Sequence, residues 1–370
     1  MLLPNPQSLP RVILLAGPDR ALRALVLEKL IAEVRPHHLT VLSFDHERRP
    51  LMTDPHLHFR WAEAKRIHIA QPGQIVPFRA DLYIELNAMA RGKACDHIVV
   101  ELGRNDELPS VRDCLEHRYP GGIDLGSVVL LTRSILILSA NGLTDSFWTD
   151  AAAAEPEENN EQHSEGACSR AHSLSKSIEC ADTVVIADRA ETDPACLAAA
   201  VRLLRALNPK AAILDPKLER LEISSLAVSK GVNLSENETI AVHSNLQMQW
   251  AIADPEFARV EIHGSRPLHP SRFLTFVKEG WRGLIRARGE MRLASQPGTC
   301  RIWSQAGRVG VLGSTNSSAS GKWHQDLTLI GPAEACIDAV HNFERSLLTD
   351  EEIEFGPRLW RSFVDPFKEE

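Results

Sequence analysis

RPLHPSRFLTFVKEGWRGLIRARGEMRLASQPGTCRIWSQAG, residues 266–307, carries the densest run of structural signals in the chain. It opens on Arg266-Pro267, a pair that favours extended backbone before the ring. His269-Pro270-Ser271 then leads into the apolar-periodic residues Phe273, Leu274, Phe276 and Val277. That spacing predicts a short helix, with Ser271 as candidate N-cap and Gly280 as its stop. Trp281 and the stretch from Leu284 to Arg288 read as a turn and a strand. Residues 291–294 and 301–306 read as further short strands.

In this order the residues resemble the C-terminal domain of the CobW-type GTPases, where RPFHP, a GVLRAKGF-like strand and a WxQAG-like strand recur in the same succession. The resemblance continues beyond Gly307. GKWHQDLTLIG at 321–331 is similar to the family's GDRRQELVFIG strand, with Lys322-Trp323 in place of Asp-Arg. The chain from Gly307 to Gly321 is Gly/Ser-rich and shorter than is usual in the family. An amphipathic helix over 333–347 and the segments LTDEE (348–352) and Trp360 to Phe367 also fit the family pattern. The resemblance implies a smaller α+β domain over 257–350 with a tail at 351–370. Arg266 and His269 sit beside prolines and are expected to make structural contacts.

Working outward, 370 residues with 44% hydrophobic side chains are enough for two domains with buried cores. A net charge of -8 and a pI near 6.0 exclude a generally nucleic-acid-coating surface, and no direct DNA binding is expected. Cys95, Cys114, Cys168, Cys180, Cys196, Cys300 and Cys336 form no CxxC pair, which suits reduced thiols rather than a disulfide scaffold. No secretory core and no membrane-length apolar run is present, so a cytoplasmic protein without membrane partners is expected.

The N-terminal part alternates strands and helices. Apolar strands are read at 11–17, 40–44, 97–101, 128–139 (bent near Arg133) and 182–187, and helices at 21–34, 81–90 and 195–207. This pattern predicts a doubly wound α/β domain. The resemblance makes it a P-loop NTPase-like parallel sheet over 1–222. Two segments interrupt or follow it. The acidic AAAAEPEENNEQHSEG, within 151–170, reads as a disordered surface insertion. Residues 223–256 read as a connector.

The family resemblance implies a P-loop of the form SGFLGAGKTTLLNHLL. Laid on residues 16–31, AGPDRALRALVLEKLI, it finds Gly17 at the first glycine, but Arg20 and Leu22 at the later ones. Arg23 replaces the lysine, and Ala24 replaces the hydroxyl that holds magnesium. A strand that begins Ala181-Asp182 is kept, yet the guanine-reading Asn-Lys-x-Asp is Ala187-Asp188-Arg189-Ala190. Glu101 matches the acidic Walker B-like position, although a polar strand end is an equal reading. Gly17, Arg23 and Glu101 are therefore the candidate remnants of a nucleotide site, and neither GTP with magnesium nor efficient hydrolysis is expected.

The resemblance also implies a Gly-Cys-x-Cys-Cys metal segment ahead of Arg-x-Asp-Leu. Here Gly73 and Arg79-Ala80-Asp81-Leu82 remain, but Gln74 to Phe78 contain no thiol. Zinc could instead take Asp45, His46, Glu47, His56 and His58, since the two imidazoles of His56-x-His58 would share one side of a strand. A polar loop with surface histidines is the plainer alternative. Taken with the resemblance, this implies a zinc-homeostasis protein that acts by binding, with a protein partner that is a metalloprotein client or a ribosome-associated factor. A non-catalytic docking factor and a residual nucleotide switch remain as alternatives.

Overall fold

The structure is a computed structural model that describes residues 9–17, 19–33, 39–43, 58–61, 82, 84, 86–89, 96–102, 108–116, 125–148, 170–186, 192–214, 246–251, 256–315 and 323–368. These residues form two units, one N-terminal and one C-terminal in emphasis. Among the described residues no helix is long and apolar enough to cross a membrane.

The first unit is built on β1 (Arg11–Ala16), α1 (Arg20–Glu33), β2 (Leu39–Ser43), β3 (His58–Trp61), β4 (His97–Glu101), α2 (Leu108–Glu116), β5 (Leu130–Leu138), β6 (Thr183–Ile186) and β7 (Ala212–Leu214). The strands make one parallel sheet in the order β3-β2-β4-β1-β5-β6-β7. Its central strands are apolar almost end to end because both faces of a parallel sheet are covered. Ile13 and Leu15 of β1 share a core with Val26, Leu27, Leu30 and Ile31, the helical stripe of α1. The bend expected near Arg133 is a register shift: Val12 pairs with Leu131 and Ile13 with Arg133, so Thr132 is skipped.

The strand order positions the site. From β1 the chain runs past β4 to β2, whereas from β4 it runs to β5 on the far side of β1. The carboxyl ends of β1 and β4 therefore send the chain in opposite directions, and a crevice opens between them. Gly17 follows the end of β1, and Glu101 ends β4.

Asp182 has a structural duty at the start of β6. Its carboxylate accepts from the Ser134 backbone N–H and hydroxyl, both at 2.8 Å, and from the Arg112 guanidinium of α2 at 3.0 Å. Asp182 thus ties β6 to β5 and to α2.

In the second unit, β8 (Leu246–Ala251), β9 (Ala258–Gly264), β10 (Arg286–Met291), β11 (Cys300–Ala306), β12 (Val309–Thr315) and β13 (Gln325–Gly331) form an antiparallel sheet in the order β12-β11-β10-β13-β9-β8. One face packs Met248, Val260, Ile262, Met291, Trp303 and Leu327 against Phe273 and Phe276 and against Val340 and Phe343. Those aromatics and Val340 come from the helix Pro270–Thr275, the π-type turn Phe276–Gly280 and the helix Ala333–Glu344. The opposite face carries Gln247, Gln249, His263, Glu290 and Asp326, all exposed. Gly289 is required where β10 meets β13, because a Cβ there would run into the Asp326 carbonyl oxygen.

The RPLHPSR segment is a latch on the tail. Arg266 donates to the Leu348 carbonyl at 2.7 Å and to Asp350 at 2.6 Å. Arg272 forks onto both carboxylate oxygens of Glu352, at 2.9 and 2.6 Å, and also reaches the Leu347 carbonyl. Glu352 closes a capping box with Thr349 at the start of the helix Asp350–Phe355. The Arg272 hydrogen bonds hold the Glu352 carboxyl down at about 2.

Four local readings change. The N-cap of helix 270–275 is His269, whose ring accepts from the Arg272 N–H, and not Ser271. The expected connector contributes β8, with Leu246, Met248 and Trp250 buried in alternation. Residues 291–294 are no strand of their own: Met291 ends β10, and Leu293 makes a single bridge to Leu268. The Gly/Ser-rich stretch after Gly307 begins as β12. The acidic insertion at 151–169 lies outside the described residues, and Arg170 opens the helix Arg170–Cys180.

Candidate functional site

The crevice between β1 and β4 brings together the three residues expected there. Arg23 lies one turn into α1, 1% exposed, and Glu101 is fully buried at the end of β4. The Arg23 guanidinium points back into the crevice. It donates to the Gly17 carbonyl at 2.5 Å, and its Nε stands 3.7 Å from Glu101 Oε1. The second oxygen of Glu101 accepts from the Ser43 hydroxyl of β2 at 2.8 Å. Three strand ends and one helix are thereby joined through buried charge.

The amides that would face a phosphate have an anion of their own. Asp19 caps α1, and its Oδ1 accepts from the N–H groups of Ala21 at 2.8 Å and Leu22 at 3.1 Å. A helix N-terminus binds anions through these unsatisfied donors, and here a tethered carboxylate takes them. Gly17 also has a packing role. A Cβ at this position would strike the Ile137 carbonyl oxygen of β5, so the neighbouring strand already demands a glycine. Sequence comparison with the P-loop finds Gly17, Arg23 and Glu101 but not Asp19 or Ser43; the signal for Asp19 is its place immediately before α1.

The positions of guanine recognition, 187–190, lie outside the described residues, as do the metal segment 73–81 and Asp45, His46, Glu47 and His56. His58 is placed as the first backbone position of β3, beside Thr40 of β2, with its side chain outside the description.

Among the described residues, metal-type donors converge in the second unit, at Glu290, Cys300 and His324. No sequence motif announces them. Burial pushes the Cys180 and Cys336 thiols up to about 12; Cys336 is a core residue and Cys180 is half-buried. Burial also raises the Cys300 thiol, and the Glu290 carboxylate adds to it.

Residues 257–342, from just before β9 through most of the helix Ala333–Glu344, match the profile of the cobalamin synthesis protein CobW C-terminal domain. Residues 257–342 are thus similar to a CobW C-terminal domain. The chain is 25% identical over 327 residues to the zinc chaperone Rv0106 of Mycobacterium tuberculosis, a match that spans 78% of this chain and 76% of the relative. An uncharacterized protein of Mycobacterium bovis matches to the same extent. Among solved structures, the zinc-bound YjiA GTPase from E. coli superposes with a TM-score of 0.40 at 16% identity, over 91% of this chain and 99% of that one. The hydrogenase maturation factor HypB from Archaeoglobus fulgidus gives 0.30 at 12% identity, over 58% and 85%.

Proposed function

We propose that this protein belongs to the CobW family, handles zinc and acts by binding, without an efficient cycle of GTP hydrolysis. The observation that carries the second half is the closed crevice. Arg23 is spent on Gly17 and Glu101, and Asp19 caps the helix amides. A phosphate entering there would have to displace both. Ala24 offers no hydroxyl for magnesium. Zinc is supported by the relative that is a zinc chaperone and by the convergence of Cys, His and Glu donors in the C-terminal unit. The partner that fits is a metalloprotein client in the cytoplasm, to which the ion passes.

A thermal-shift titration with Mg-GTP, Mg-ATP and zinc in separate wells tests both halves. A ligand of the folded state at 100 times its Kd adds about 2.7 kcal/mol. For domains of this size that raises the midpoint by roughly 5–10 °C. Zinc should raise it and the nucleotides should not. A rise with Mg-GTP refutes the binding-only half, and a flat response to zinc refutes the zinc half.

A further inference from the structure

At one end of the antiparallel sheet, β10 finishes while β11 and β13 begin. Glu290 lies in the last turn of pleat of β10, Cys300 is the first residue of β11, and His324 immediately precedes β13. Glu290 pairs with Ile302 on one side and with Asp326 on the other. Residues two apart along a strand point to the same face. Cys300 and His324, each two positions before those partners, therefore fall on the side of Glu290, away from the helices Pro270–Thr275 and Ala333–Glu344.

The distances make a donor set of this alignment. The Cys300 thiol donates towards Glu290 Oε2 at 3.7 Å, and His324 Nε2 stands 3.8 Å from the same oxygen. The donor atoms of all three lie within 4.8 Å of one another. A tetrahedral zinc ion with ordinary Zn–S, Zn–N and Zn–O lengths sets neighbouring donors about 3.4–3.6 Å apart. Small side-chain rotations would close the difference.

We infer that Glu290, Cys300 and His324 bind one zinc ion, with the fourth coordination position left to a water or to a ligand from a client. The inference rests on the zinc-handling reading for its choice of metal and adds where the ion sits. Charge balances, since a thiolate and a carboxylate neutralise the dication once the thiol proton has passed to solvent. The nearby cation Arg292 is held by the Pro297 carbonyl at 3.1 Å. Three protein ligands with an open position are the coordination of sites that exchange a ligand, whereas closed four-ligand sites are structural. Access agrees with exchange: the sulfur side is buried, while the His324 and Glu290 side chains are 40% and 58% exposed.

The test uses the full chain, cobalt(II) as an optical probe and zinc by competition. The expected result is a thiolate-to-cobalt charge-transfer band that zinc abolishes. Cys300→Ser should remove the band, and His324→Gln and Glu290→Gln should each weaken zinc by at least about tenfold. Because Cys300 is buried, the two exposed variants carry the affinity argument, with their melting midpoints measured alongside. A band that persists in Cys300→Ser, or unchanged zinc affinity in both exposed variants, overturns the site. If those variants bind zinc as the parent does, zinc handling stands and its site lies elsewhere. If the parent itself takes no zinc, both readings fall.

Discussion

Replacing Arg23 by methionine separates a structural cation from a ligand-binding one. The change removes the guanidinium from the crevice and keeps its apolar bulk. Glu101 would then keep a fully buried carboxylate that still accepts from the Ser43 hydroxyl but has lost the guanidinium beside it. Breaking a buried pair from one side costs about 3–5 kcal/mol, because an uncompensated charge stays behind. At roughly 2–4 °C per kcal/mol, the midpoint should fall by about 6–20 °C. Glu101→Gln should cost a similar amount. The double variant Arg23→Met with Glu101→Gln should recover most of the loss, since a pair replaced on both sides is often neutral. Urea and thermal melts of the four proteins give the coupling directly. Additive losses, or a loss below about 1 kcal/mol in Arg23→Met, would refute the buried pair as the role of Arg23. A parent protein that Mg-GTP stabilises, with that stabilisation gone in Arg23→Met, would make the arginine a phosphate ligand.

Gly17→Ala should destabilise the first unit by about 1–3 kcal/mol through overpacking against the Ile137 carbonyl. It should do so without changing the nucleotide wells, and a neutral substitution measured by urea denaturation would contradict the packing account. Glu352 gives a pH signature. Its carboxyl is held at about 2, first by the Arg272 hydrogen bond, against an ordinary value of 4.5. A carboxyl depressed in the folded state contributes stability above its unfolded pKa and loses it as pH falls towards the folded one. The parent should therefore lose latch stability between pH 4.5 and about 2, and Glu352→Gln should be less stable at neutral pH but flatter across that window. Parallel pH profiles for the two proteins would exclude the latch.

The apolar runs that became β1, β2, β4, β5 and β6 were plain in the sequence because a strand covered on both faces has no polar alternation to obscure it. The RPLHPSR segment was legible as a family pattern, but its work on Leu348, Asp350 and Glu352 depends on a chain reversal some 80 residues long, which no local spacing reveals. β8 was missed although Leu246-Gln247-Met248-Gln249-Trp250 alternates cleanly; it follows a long stretch without pattern and is only one strand. The loss of P-loop chemistry could be read residue by residue, while the replacement of the phosphate by internal groups could not. Asp19 and Ser43 became visible once β2 and α1 were placed beside β4. Glu290, Cys300 and His324 were unreadable for a related reason: antiparallel register alone brings them together, and register is set by pairing, not by any of the three residues.

The Asp19 cap has a further consequence when it is viewed as competition. Its carboxylate is bonded to the same chain as the amides it occupies, so it is a rival ligand that dilution cannot remove. A group held by a short tether acts at an effective concentration on the order of millimolar or more. Raising free nucleotide to that range would bring it merely to parity with the resident anion. Below that range the opening of α1 is thus insensitive to the abundance of phosphate around it, and what governs occupancy there is the chain itself.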